Sequence, residues 1–109
     1  MTINSINSKW FLAANNSGAW ILTEGIANIQ IDGNAFNAHL FFSSDSPEYL
    51  RLIGEIEDEC LEVEGISPDI DVPTIYLSGA ISTDVIAGIS VMLSDGWTTI
   101  GLAAKRGKL

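Results

Sequence analysis

Residues 89–104 read ISVMLSDGWTTIGLAA, and the fold turns on how this stretch pairs with itself. Apolar residues recur at every second position on both sides of Asp95-Gly96, the period of a half-buried strand. With Asp95-Gly96 as a two-residue turn of the primed type, Leu93 faces Thr98, Val91 faces Ile100 and Ile89 faces Leu102, so one face is apolar on both strands. Residues 26–42, IANIQIDGNAFNAHLFF, pass the same test, with Asp32-Gly33 pairing Ile29 with Phe36 and Ala27 with Ala38.

Outward from these hairpins the same alternation predicts strands at 9–14, 18–24, 49–57, 60–65 and 74–81, about nine in all, and helical periodicity is almost nowhere visible. The breaks at 43–48 (SSDSPE) and 67–73 (SPDIDVP) hold turn-forming Pro, Ser and Asp and are too short to link domains. Residues 1–109 are therefore read as a single all-β domain. It is a small antiparallel barrel or sandwich of about eight or nine short strands joined mainly by hairpins, since an open sheet of this composition exposes sticky edges. The recurring Ile53-Gly54, Ser78-Gly79, Ala87-Gly88 and Ile100-Gly101 pairs predict strands that bend.

Composition sets limits on the partner. The chain has 109 residues, 47% of them hydrophobic, with a mean hydropathy of +0.27, which suits one compact core. Fourteen acidic against five basic residues give a net charge of -9, which repels phosphate backbones and anionic lipid, so neither nucleic acid nor membrane is expected as a partner. Cys60 is the only cysteine, so no intrachain disulfide can form, and a reducing, cytoplasmic setting is expected. Residues 1–16 show no basic segment followed by a long apolar run, in keeping with that location. The Asn15-Asn16-Ser17 sequon is read as a turn.

The charge is not spread evenly. EIEDECLEVEG, residues 55–65, holds six carboxylates in eleven positions. With Asp58-Glu59 as the turn, Ile56 faces Leu61 and Gly54 faces Val63 inside, while Glu55 falls opposite Glu62 outside, with Glu57 and Glu64 on the same outer surface. Like charges opposed across a ladder cost about 0.2 to 1 kcal/mol each. A basic protein settling there relieves that repulsion, and complementary charge also speeds encounter and sets register. The expected partner-binding residues are Glu55, Glu57, Asp58, Glu59, Glu62 and Glu64, together with Asp69 and Asp71 just beyond. The competing reading is an exposed hairpin charged for solubility and against edge pairing. Arg51 and the carboxy-terminal Lys and Arg residues are the cations that can neutralise the ribbon from within. Asp69-x-Asp71 lacks the spaced oxygen ligands of a calcium loop, so no metal is expected.

No catalytic signature is present. His39 is the only histidine and falls on the face opposite Phe36, Ala38, Leu40 and Phe42, as an ordinary strand residue does. Cys60 sits among carboxylates that disfavour its thiolate. The paired carboxylates share one exposed hairpin with no apolar wall to separate their titrations. Neither a phosphate loop nor a nucleophile elbow occurs, so the chain is read as a non-enzyme without a cofactor.

Trp10, Trp20 and Trp97 lie at or near predicted strand starts, where they are expected to pack under a barrel end. Gly18-Ala19-Trp20 is similar to the Gly-x-Trp at the start of the first barrel strand of the calycin group, the lipocalins and avidins. That resemblance implies an up-and-down barrel with a small-ligand cavity, lined here by Trp20 and Phe36. In size, acidity and absence of catalytic groups the chain resembles the bacterial immunity proteins that neutralise nuclease toxins. That likeness implies a non-catalytic acidic inhibitor of a basic protein partner. Residues 20–22, 40–42 and 91–93 are apolar on both faces, so a homodimer or structural homo-oligomer is a further expectation.

Overall fold

A computed structural model describes residues 6–16, 19–68, 74–82, 89–96 and 98–104. Alternating apolar and polar positions build eight strands: β1 (Ile6–Asn16), β2 (Ala19–Asp32), β3 (Ala35–Phe41), β4 (Glu48–Glu57), β5 (Cys60–Ile66), β6 (Ile75–Ser82), β7 (Ile89–Ser94) and β8 (Thr98–Ala104). Each pairs antiparallel with the next, and β8 returns to β1 from Lys9↔Ala103 to Ala14↔Thr98, closing an up-and-down barrel. Closure removes the sheet edges that an open sheet of this hydropathy exposes. Of the barrel and the sandwich, the chain adopts the barrel.

Inward-facing side chains fill the interior. Ile29, Phe36, Leu40, Leu52, Leu61, Leu93, Ile100 and Leu102 are all fully buried and belong to one hydrophobic cluster. Trp10 joins them with no exposed surface, and its indole N–H donates to the Phe41 carbonyl at 2.8 Å, satisfying the polar end of a buried ring. The ring fits because its cross-strand neighbour is Gly25, where a Cβ would strike both Trp10 Nε1 and the Phe41 carbonyl. Trp10 stacks on Tyr49 at 5.7 Å, and Phe42 lies 4.5 Å from Tyr49, so the three rings form one cluster.

Several expectations are corrected. The strands predicted at 18–24 and near 26–31 are one continuous strand, β2, because Gly25 accommodates Trp10 without interrupting the ladder. The eight strands fall within the expected eight or nine, and β1 and β2, at 11 and 14 residues, are the longest. Trp10 lies in the middle of β1 rather than at a strand start. Phe42 follows β3 after a register shift at Leu40/Phe41 and is exposed in the aromatic cluster, not inward with Leu40.

The two Asp-Gly hairpins are each displaced by two residues from the expected register. Ile31 faces Phe36 and Ile29 faces Ala38; likewise Leu93 faces Ile100 and Val91 faces Leu102. In both, glycine takes the first loop position instead of the second: Gly33 has φ +61° and Gly96 +95°. At the first hairpin a positive φ there is what a type II′ turn requires, and Asp32 ends the strand; at the second, β7 ends at Ser94, one residue before Asp95. At the second hairpin Asp95 Oδ1 accepts the Thr98 N–H at 2.6 Å and fixes that closure. A shift of two keeps every side chain on its predicted face.

Candidate functional site

The β4–β5 hairpin forms in the expected register, with Ile56↔Leu61, Gly54↔Val63 and Glu55↔Glu62. Asp58 and Glu59 form its turn at φ 51° and 66°, the left-handed pair of a type I′ turn. The Glu59 carbonyl accepts the Ile81 N–H at 2.8 Å, tying this turn to β6. Leu50, Leu52, Leu61 and Val63 point into the core, so strand geometry sends Ile53, Glu55, Glu57, Glu62 and Glu64 outward together. The sequence-predicted acids are thus brought onto one surface, with Asp58 and Glu59 exposed at its tip. Asp69 and Asp71 lie outside the described residues.

Internal neutralisation of this surface is not seen among the described residues. Arg51, the nearest cation in sequence, pairs with Glu48 Oε1 at 3.1 Å, and the second oxygen of that carboxylate meets His39 Nδ1. Arg51 and His39 are themselves cross-strand neighbours, so Glu48 is the anion of a local three-residue network. Lys9 sits on β1, four strands around the barrel from β5. Glu55, Glu57, Glu62 and Glu64 have no ion pair among the described residues, and Lys105, Arg106 and Lys108 lie outside them.

The acidic surface is not uniformly polar. Ile53 pairs with Glu64 and Glu64 with Tyr76, giving the outer row Ile53–Glu64–Tyr76; the adjacent row is Glu55–Glu62–Ser78. Tyr76 is 72% exposed and Ile53 42%, while Glu64 between them is half-buried. These six residues surround a concavity of about 490 Å³ on the outside of the barrel. Gly54 is part of its lining, and a Cβ there would strike the Glu62 carbonyl and lie 2.7 Å from Val63 Cα. Ile53 and Tyr76 were not among the sequence-predicted site residues. Their signal was phase: each is a large apolar side chain on the face that alternation assigns to water.

The remaining candidates lie apart. His39 faces outward in β3, with Nδ1 against the Glu48 carboxylate. Cys60 is exposed, pairs with Glu57 across the hairpin and has no disulfide partner. No group of three or more His, Cys, Asp or Glu placed to hold a metal occurs among the described residues. Of the two residues implied to line a ligand cavity, Phe36 is buried in the core cluster and Trp20 pairs with Asn15 across the β1–β2 ladder. Gly18 and Trp97 lie outside the described residues. Elsewhere on the exterior, Met92 and Phe11 flank Gly101 in one apolar row across β7, β8 and β1.

In sequence, the chain matches no protein-family model and no curated protein. A solved structure of similar fold is the crystal structure of the isotype 1 transferrin binding protein B from serogroup B Neisseria meningitidis, with a TM-score of 0.57 and 10% identity. The match covers 97% of this chain and 26% of that one, so the chain spans about a quarter of that structure's length. At this identity the likeness is one of barrel fold.

Proposed function

We propose that the chain is a non-catalytic acidic binding protein whose outer β4–β6 face covers and neutralises a basic protein, as an immunity protein does a nuclease toxin. The observation that carries this reading is the direct opposition of Glu55 and Glu62, without a described cation, beside the exposed Ile53 and Tyr76. Apolar and aromatic side chains inside a charged surround are the usual makeup of a protein interface, and the carboxylates give it long-range attraction for a cationic partner. Glu59 adds support. A side chain at φ 66° costs about 1 kcal/mol where glycine costs nothing, and such expense is characteristic of functional positions. The exposed, unpaired Cys60 suits the cytoplasm, which is the location proposed.

The test is charge reversal. Glu55→Lys with Glu62→Lys leaves a like-charged pair across the ladder, so its main effect falls on a cationic partner and not on hairpin cohesion. A basic protein captured by the native chain should be lost by this double variant at low salt, with a drop in affinity of more than tenfold. Equal retention by both chains sinks the reading.

A second reading, self-association, is favoured by the Phe11–Gly101–Met92 row, where Met92 is 60% exposed. It predicts a concentration-dependent dimer in sedimentation that Met92→Lys abolishes.

A further inference from the structure

We infer that the concavity on β4–β6 is an arginine site: it takes a guanidinium from the partner, stacked on Tyr76 with its charge shared by Glu62 and Glu64, in preference to a lysine ammonium. This rests on the proposed docking of a basic protein and adds the side-chain chemistry of that contact. The argument begins with what the face offers besides charge. Tyr76 is the most exposed large hydrophobic side chain described, and nothing in the ladder requires it there, since its strand buries Leu77 on the other face. Its cross-strand partner is Glu64, and Glu62 lies one diagonal away, opposite Ser78. Facing side chains in such a ladder have Cβ atoms about 4.5 to 5.5 Å apart and diagonal ones about 7 to 8 Å. An aromatic face and two carboxylates therefore border one concavity of about 490 Å³, with Ile53 forming the wall beyond Glu64.

Those groups distinguish the two cations. A guanidinium is planar and weakly hydrated, stacks on an aromatic face, and presents a fork of N–H donors to carboxylates at its edge. Its three-carbon stem can lie along an aliphatic wall such as Ile53. A lysine ammonium is a compact, strongly hydrated point charge that gains from the carboxylates but uses little of the ring or the wall. Charge alone makes this face select basic partners; Tyr76 makes it select among them.

Fluorescein-labelled hexa-arginine and hexa-lysine, equal in length and charge, separate these contributions when titrated by anisotropy at low salt. The native chain should bind hexa-arginine tighter by about 2- to 5-fold, the range of an exposed cation–π contact. Tyr76→Ala should abolish the difference by weakening hexa-arginine alone, and Tyr76→Phe should retain it, because the ring face and not the hydroxyl makes the contact. Equal binding of the two peptides, or a preference that survives Tyr76→Ala, overturns the arginine site and leaves the docking of basic proteins standing. Binding of neither peptide overturns both.

Discussion

At the scale of single residues, two positions show opposite solutions to backbone constraint. Gly25 is small because Trp10 and the Phe41 carbonyl occupy the space a side chain needs, and the gain is a fully buried indole with its N–H satisfied. Glu59 is the reverse: the turn favours glycine, yet a carboxylate stands at φ 66°. Glu59→Gly should therefore stabilise the barrel by about 1 kcal/mol in urea denaturation while weakening capture of a basic partner. A loss of stability on this change means the Glu59 side chain has a structural role that its exposed position does not suggest. Neither role was equally legible. The turn position of Asp58-Glu59 follows from local alternation, whereas the Trp10 contact with Phe41 joins residues 31 apart in sequence and depends on how β1, β2 and β3 close around the ring.

At the scale of elements, the β4–β5 hairpin is where sequence and structure agree most closely. Its turn, Asp58-Glu59, has no glycine to move between loop positions, and alternation about it gives the observed pairing. The Asp-Gly hairpins carried an ambiguity that local pattern does not resolve, because the glycine supplies a positive φ at either loop position, and the choice moves the pairing by two residues. Faces survive such a shift, so alternation assigns the buried positions of these hairpins, Phe42 excepted, without assigning their partners. Within the β4–β5 ladder the opposed Glu55 and Glu62 should be mildly adverse. Glu62→Gln should raise stability by about 0.2 to 1 kcal/mol at low salt, with the gain shrinking as salt screens the repulsion. The same urea titration at low and high salt checks this, and a destabilised variant contradicts the reading of Glu62 as an unneutralised charge.

At the scale of the whole molecule, closure of eight strands encloses one hydrophobic cluster, and the proposed function is placed on the exterior. Charge on that exterior is unevenly placed: Lys9 lies across the barrel from β5, and Arg51 and His39 are drawn to Glu48. The acidic ribbon is legible as a run of carboxylates, but its concavity is not, since that depends on Tyr76 arriving from β6 beside Glu64. The account stands on the location of the docking face, and amide chemical-shift mapping during titration with hexa-arginine tests it most directly. Shifts concentrated in residues 53–64 and 76–78 are the predicted result. Shifts centred on Phe11 and Met92, or on the aromatic cluster of Trp10, Phe42 and Tyr49, would contradict it.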